Sequence, residues 1–268
     1  MDTFNKIKGY LAFIDILGFS ALKNEDFSEK FAAYHEIVSN ACPQNHVNYN
    51  LYSDSLILYT NTLGKDPLMQ LLSAVSKTTY GLLMKLDMPV RGCVSAGEFT
   101  INKGGGSVVI AGKPLIDAYE YEKKQDWVGI MLSPRLVKLH QDLESLTTIN
   151  NIYSKEAANN FAEKLPWPLL VQRCRMIPFH TDRPNYLEDN QDYDGYVVVP
   201  SQDHANPKDL IHDLKEFNEQ LEKLQLLALT PSQQKKYQKA INWVGVLHKK
   251  WLMDVINSGY WHTRNVSE

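Results

Sequence analysis

The sequence is poor in cysteine and has no marked excess of either charge. Its 268 residues include only three cysteines, Cys42, Cys93 and Cys174, which lie far apart and form no CxxC pair. Such spacing favours buried thiols in a reducing compartment over a disulfide framework or a metal site. Basic residues number 28 against 31 acidic ones, which gives a net charge of -3. The chain therefore lacks the excess of positive charge that binds a polyanion. Nucleic acid is therefore not expected as a partner.

Long hydrophobic runs are also missing. The opening MDTFNKIKGY lacks the basic-then-apolar pattern of a signal peptide. No apolar run approaches the roughly 20 residues that span a bilayer. We therefore expect a soluble, cytoplasmic protein that makes no membrane contact and buries its core without disulfides.

Several common catalytic and ligand-binding motifs are absent or incomplete. Gly112-Lys113 runs into Pro114 and lacks the earlier glycine of a phosphate-binding P-loop. The acidic run from Asn190 to Gly195 begins like a calcium loop, but Ser201 stands where the closing Glu belongs. No HExxH pair and no GxSxG elbow occur. These absences remove the usual anchors for a P-loop enzyme, a zinc protease or a serine hydrolase.

Hydrophobic periodicity predicts the element order β α ββ α β β α β in the first half of the chain. Such an order favours an α+β sandwich with a mixed, largely antiparallel sheet and its helices on one face. The predicted strands cover 10–17, a hairpin at 49–60, 90–101, 108–111 and 128–132; the predicted helices cover 26–41, 66–86 and a segment from 115.

The pattern changes after Ser133. We divide the chain into a domain at 1–135 and a C-terminal extension at 136–268, with strands within about 167–200 and helices within about 207–256. A break at Thr230-Pro231 separates two helices, with Thr230 as the cap and Pro231 at the first helical position. The second helix carries an apolar stripe that indicates a packing or partner face rather than a membrane-binding one: Tyr237, Ile241, Val244, Leu247, Trp251 and Val255.

One carboxylate stands in the strand YLAFIDILGFSAL without an obvious partner. Asp15 is surrounded there by apolar residues, and a lone ionised acid out of water is costly unless it is paired or bound to a metal. A second acid, Asp54, lies at the tip of the predicted hairpin in NLYSDSLILYT. If the two strands are neighbours, both carboxylates face one point and repel each other. A divalent metal resolves that conflict, whereas the plainer alternative is that both acids cap turns.

The turn after this strand suits a phosphate chain. Gly18, Phe19 and Ser20 follow the strand, and their backbone N–H groups lead into a predicted helix. Helix N-termini bind anions through free N–H groups and the helix dipole. The segment is therefore a candidate phosphate site next to Asp15.

These residues carry a family resemblance. IDILGFSAL resembles the metal-binding signature of the class III nucleotidyl cyclases, and YSDSLIL is similar to the second-metal hairpin of that family, where Gly-Asp often replaces Ser53-Asp54. RGCVSAGEF, IAGKPLIDAYEYE and WVGIMLS match its later elements in order and spacing. The resemblance covers roughly residues 8–135.

The resemblance implies a ferredoxin-like palm that forms a head-to-tail homodimer with shared active sites. Asp15 and Asp54, helped by the Ile16 carbonyl, would bind two divalent ions, Mg²⁺ or Mn²⁺, and residues 17–20 would hold a triphosphate. The implied reaction is attack of the ribose 3′-oxygen on the α-phosphorus with pyrophosphate leaving.

This chain differs from the purine cyclases of the family at the residues that bind the base and stabilise the transition state. Asn50 stands where they have Lys, Val109 where they have Asp, and Ile116 and Glu120 where they have Asn and Arg. With its acidic GKPLIDAYEYE run, the chain resembles the bacterial Pycsar pyrimidine cyclases instead. These make cyclic UMP or cyclic CMP in antiphage defence, and a cyclic-nucleotide-sensing effector reads the product.

The pyrimidine-cyclase resemblance gives three further side chains a role. Asn50 and Tyr52 could read the base through amide or hydroxyl hydrogen bonds. An amide both donates and accepts, so Asn50 alone does not separate UTP from CTP; we prefer UTP. Arg91 opens a strand and is the candidate cation for the triphosphate or the transition state, with a surface ion pair as the alternative.

A second interpretation stays open. The chain could be a catalytically silent cyclase-like module that binds a nucleotide or a protein. Its contact face would then be the stripe of Trp243, Leu247 and Trp251. Retention of both acids favours the enzyme, because a silent module gains nothing from two facing carboxylates.

Overall fold

The computed structural model describes residues 5–19, 24–42, 46–104, 107–140, 171–174, 195–202 and 207–257. Up to residue 132 the elements follow the predicted order. The loop expected before Gly195 and the start of the strand expected at Trp167 lie outside the described residues. The strands are β1 (Asn5–Ile16), β2 (Asn48–Tyr52), β3 (Ser55–Tyr59), β4 (Val90–Gly104), β5 (Ser107–Gly112), β6 (Gly129–Leu132), β7 (Val171–Cys174) and β8 (Gly195–Val198); the helices are α1 (Asn24–Ala41), α2 (Lys65–Leu86), α3 (Lys113–Lys124), α4 (Pro134–Leu139), α5 (Pro207–Leu227) and α6 (Pro231–Asn257).

The described strands form one sheet in the order β2-β3-β1-β4-β6-β8-β7, with β5 paired to β4. Only the β4–β6 pair is parallel among these strands. The predicted α+β class with a mixed, largely antiparallel sheet is therefore confirmed. Strand β8 joins the sheet at Met131 and Val197, so the C-terminal part of the chain extends the same sheet.

Strand β1 lies in the middle of the sheet and sets the register of the candidate site. Asp15 is opposite Ser55 on one side and Arg91 on the other, and Tyr52 is opposite Ser55. Directly opposite residues of antiparallel strands project from the same face. Tyr52, Ser55, Asp15 and Arg91 therefore form one cross-strand row on one face of the sheet.

Helices cover both faces of the sheet, so the expectation of helices on one face is wrong. Tyr10, Ala12 and Ile14 pack against α1 and α2, whereas Leu11 belongs to a second core that includes side chains of α3, α5 and α6. The physical reason is that β1 is apolar at odd as well as even positions, so each face needs a cover against water.

The stripe on α6 packs inside the chain. Val244 and Leu247 are buried in the second core, as is the neighbouring Trp243; the side chains of Trp251 and Val255 lie outside the described residues. The predicted cap is confirmed, because the Gln233 amide donates to Thr230 Oγ1 at 3.2 Å. No helix in the described ranges is both long enough and apolar enough to cross a membrane.

Candidate active site

A tight hairpin between β2 and β3 brings Asp54 to the end of β1. Ser53 and Asp54 alone connect the two strands, and Ser53 has the left-handed φ of 55° that favours glycine. The Ile16 amide donates to the Asp54 carbonyl at 2.8 Å. Backbone pairing thus fixes the hairpin tip beside the strand that carries Asp15.

The carboxylates of Asp15 and Asp54 lie within electrostatic reach of each other. Burial raises the pKa of Asp15, the nearby Arg91 charge opposes that rise, and the Asp54 charge adds to it. Burial and the charge of Asp54 also raise the pKa of Tyr34 on α1. Asp54 therefore sits at a strand end, where it influences groups on both faces of the sheet.

Arg91 reaches Asp15 directly across the β1–β4 pair. Its Nε is 3.3 Å from Asp15 Oδ2 and 2.5 Å from Glu122 Oε1, and its Nη1 donates to the Gln125 carbonyl at 3.4 Å. The ion pair that the sequence left as an alternative is present, but its partners are the candidate metal ligand and a buried acid. A role for Arg91 toward substrate stays a prediction.

The sequence interpretation missed Glu122. The residue lies on α3 together with buried Ala118 and Tyr121, three or four positions apart and hence on one helical face. An acid on the apolar face of an amphipathic helix is a readable signal, because buried acids need a partner. Which cation pairs with it depends on how α3 crosses the sheet, and that could not be inferred.

Helix α6 also approaches the site. Lys239 forms an ion pair with Asp126, and the rings of Trp127 and Trp243 meet edge to face at 6.0 Å. Lys236, one turn earlier on α6, lies close enough that its charge opposes the burial-driven rise in the pKa of Asp15. The C-terminal extension therefore places a cation near the candidate metal ligands.

The two predicted base-reading residues lie on the site's face of the sheet. Asn50 is opposite Ile57, which is opposite Phe13, in the row next to that of Asp15. Its Nδ2 is buried, and no acceptor among the described residues hydrogen-bonds it; an unmade buried hydrogen bond of this kind is costly. The exposed Tyr52 donates weakly to the Val108 carbonyl at 3.4 Å. Asn50 is therefore the better placed of the two to accept a ligand.

The proposed phosphate turn is partly used by the fold itself. The Leu17 amide donates to the Pro89 carbonyl at 2.9 Å, so it is not available to a ligand. Gly18 is exposed with φ of 81°, while the Phe19 ring is buried against Phe27 at 5.5 Å. Ser20 lies outside the described residues. Gly18 and the Phe19 backbone remain candidates.

The residues present fit a small divalent ion. No cluster of three or more His, Cys, Asp or Glu side chains suited to a metal occurs in the described ranges. Asp15 and Asp54 nevertheless offer the hard oxygen donors that Mg²⁺ prefers, and Mg²⁺ commonly takes one or two carboxylates. Burial raises the pKa of Asp15, the Arg91 charge opposes that rise, and the nearby charge of Asp54 adds to it.

Acidification should weaken cation binding at Asp15 at a higher pH than it would at an exposed aspartate. Because its pKa is raised, a proton competes for the carboxylate at a pH where an exposed Asp is fully ionised. We expect the Kd for Mn²⁺, measured by electron paramagnetic resonance, to rise as the pH falls from about 7 to about 5. An affinity that stays constant over this interval would contradict the assignment.

The chain is similar to several solved nucleotide cyclases. The adenylyl cyclase CyaB from P. aeruginosa is 16% identical, over 52% of this chain and 83% of that one, with a TM-score of 0.42. The guanylyl cyclase Cya2 is 12% identical, over 74% of this chain and 94% of that one, with a TM-score of 0.44. The guanylyl cyclase domain of RhoGC from Blastocladiella emersonii is 12% identical, over 52% and 86%, with a TM-score of 0.42.

The other two comparisons found no relative. No protein-family model matches the sequence, and no curated protein matches it. The solved structures are too dissimilar in sequence and in fold superposition to assign a function. The proposed function is therefore based on the side chains of the site.

Proposed function

We propose that this protein is a metal-dependent nucleotide cyclase that converts a pyrimidine nucleoside triphosphate, UTP in preference to CTP, into the 3′,5′-cyclic monophosphate and pyrophosphate. The observation that supports it most is the nearness of Asp15 and Asp54 at adjoining strand ends, where the backbone pairs Ile16 with Asp54 and the charge of Asp54 raises the pKa of Asp15. Two facing carboxylates without full compensation form a site for divalent cations.

The side chains of the site have distinct tasks in this reaction. Asp15 and Asp54, with the Ile16 carbonyl, would hold two Mg²⁺ or Mn²⁺ ions. When bound, such ions activate an attacking oxygen and neutralise a leaving group. Gly18 and the Phe19 backbone would orient the phosphates, and the Arg91 guanidinium would neutralise part of the negative charge of the phosphates. The 3′-hydroxyl would pass its proton to solvent water and its oxygen would bond to the α-phosphorus, as pyrophosphate leaves with the electron pair of the broken phosphorus–oxygen bond.

Base choice would fall to the β2 strand. Asn50 supplies an amide that can pair with a pyrimidine edge, and its Nδ2 lacks an acceptor among the described residues. A pyrimidine offers a smaller edge than a purine, so fewer contacts are needed. Val109, in the position of the purine-reading Asp, is exposed and apolar. Valine cannot form the hydrogen bond by which that Asp binds a purine, which favours a pyrimidine as the base of the substrate.

We propose that a second copy of the chain completes the site. Ile116 and Tyr119 are 50% and 48% exposed on α3, and the Tyr119 ring contacts Phe13 in the row next to Asp15. Exposed apolar side chains beside a polar site mark an interaction surface. A head-to-tail homodimer would cover them together with Glu120, which is also exposed.

The silent-module alternative loses its contact face. Trp243 and Leu247, which were to bind a partner, are buried in the second core of the chain itself. The interpretation of these two residues as a partner surface is wrong, because their helix packs against α5 and they are themselves buried. In the cell, the cyclase would act in the cytoplasm and signal in antiphage defence through an effector that binds its product.

The test is a panel of single-substrate reactions. The full chain is incubated with UTP, CTP, ATP or GTP in the presence of Mn²⁺, and the products are identified by mass spectrometry. We expect cyclic UMP as the main product, with cyclic CMP second. Cyclic AMP or cyclic GMP as the main product would refute the pyrimidine assignment but keep the cyclase.

A further inference from the structure

Arg91 is shared by two carboxylates, of which only one belongs to the proposed metal site. Its Nε is closer to Glu122 Oε1, at 2.5 Å, than to Asp15 Oδ2, at 3.3 Å. The Glu122 side chain is also the more buried, at 4% exposure against 22% for Asp15. The Nε–H nevertheless donates its hydrogen bond to Asp15 Oδ2, and Glu122 Oε1 accepts no hydrogen bond from the described residues. The two carboxylates therefore share one guanidinium, and Glu122 contributes mainly through its charge.

Glu122 depends on this contact. Burial raises its pKa, the Arg91 charge opposes the rise, and the nearby charge of Asp15 adds to it. Removing the cation that pairs with a buried ionised acid strongly destabilises the folded protein. Glu122 therefore attracts Arg91 in competition with Asp15, and the Gln125 carbonyl gives the guanidinium a further acceptor at 3.4 Å. Arg91 thus has two partners at the end of α3 that do not involve Asp15.

The guanidinium and a divalent cation compete for the same oxygens of Asp15. A carboxylate only accepts, so each lone pair used by Arg91 is unavailable to an incoming ion. The positive charge of Arg91 also repels a cation at short range. Movement of Arg91 toward Asp15 should therefore lower metal affinity, and movement toward Glu122 should raise it.

We propose that Glu122 is a positioning residue that competes with Asp15 for Arg91 and thereby sets the affinity of the Asp15–Asp54 pair for divalent cations. The inference rests on the proposed function in one respect, since it takes these two aspartates as the metal site. Glu122 itself binds no metal in this arrangement. It acts through Arg91, which stays ready for the phosphates once the ion is bound.

The experiment is a double-mutant cycle read by metal binding without nucleotide. The Kd for Mn²⁺ is measured by electron paramagnetic resonance for the full chain, Glu122→Gln, Arg91→Gln and the double variant. Glu98→Gln is the matched control: its side chain is exposed on the same strand as Arg91, about 23 Å along it and beyond the screening length. Asp54→Ala reports whether the bound Mn²⁺ occupies the proposed site.

We expect Glu122→Gln to weaken Mn²⁺ binding about fivefold, because Arg91 then has Asp15 as its remaining carboxylate partner in the described site. Arg91→Gln should tighten binding by a similar factor, and the double variant should match Arg91→Gln within about twofold. Glu98→Gln should leave the Kd unchanged. This pattern requires Glu122 to act only in the presence of Arg91.

Two results would overturn the proposal. The first is an unchanged Kd in Glu122→Gln; the second is equal weakening by Glu122→Gln with and without Arg91, which would make Glu122 a direct ligand or a source of general charge. If Glu122→Gln does not fold, Arg91→Gln still decides, since unchanged or weaker binding in that variant contradicts competition at Asp15. If Asp54→Ala leaves Mn²⁺ binding of the chain unaltered, the metal site and the proposed function fail instead.

Discussion

Replacing Asp54 by Ala should abolish cyclic nucleotide formation while leaving the fold intact. The variant removes one of the two carboxylates that would hold the ions, and metal stabilisation of developing charge is worth several kcal/mol. A loss of about 4 kcal/mol corresponds to a rate lower by about a thousandfold. The measurement is kcat/KM with the preferred pyrimidine triphosphate and Mn²⁺.

The fold should survive because the Asp54 main chain, not its side chain, makes the contact with Ile16. The variant also removes a charge that raises the pKa of Asp15, so the metal-free protein should be no less stable than the parent chain. Asp66→Ala is the matched control, since Asp66 is an exposed aspartate just beyond the hairpin. Full activity in Asp54→Ala, with a normal melting temperature, would remove Asp54 from the metal site.

Replacing Phe217 by Ala should destabilise the whole chain and not only its C-terminal helices. Phe217 is 1% exposed on α5, and its ring stacks on Tyr80 of α2 at 6.4 Å. Truncating a buried Phe costs about 3–5 kcal/mol through lost transfer energy and the cavity left behind. For a chain of this size the melting temperature should fall on the order of 10 °C.

The control for Phe217 lies on the same helix. Leu226 is 84% exposed, so Leu226→Ala should change the unfolding free energy by less than about 0.5 kcal/mol. We propose that the extension folds as one unit with residues 1–135, because Tyr80 also donates to Glu216 at 2.8 Å. Early loss of α5 and α6 in Phe217→Ala, with hydrogen-exchange protection of β1 and β4 unchanged, would show instead that the extension is a separate unit.

Local signals in the sequence were sufficient for the first half of the fold and for the two acids. Each strand and helix up to β6 has its own apolar period and its own break, and Asp54 is at the tip of a hairpin whose turn residues are adjacent in sequence. The nearness of Asp15 to Asp54 required only that β1 and β3 be neighbours, and they are.

Contacts between distant elements could not be predicted in the same way. The Arg91–Glu122 pair depends on how α3 crosses β4, and the approach of Lys236 depends on where the C-terminal helices pack. The hydrophobic periodicity within a single strand or helix predicts neither of these contacts. The second apolar face of β1 was visible in the sequence, but nothing local identified α5 and α6 as part of its cover.

The most direct test of a metal-dependent pyrimidine cyclase is one competition reaction. The full chain receives UTP, CTP, ATP and GTP together at equal concentration with Mn²⁺, and mass spectrometry quantifies every cyclic nucleotide alongside pyrophosphate. We predict cyclic UMP as the main product, with one pyrophosphate released per cyclic nucleotide and no product when the metal is chelated. The absence of any cyclic nucleotide and of pyrophosphate would contradict the account.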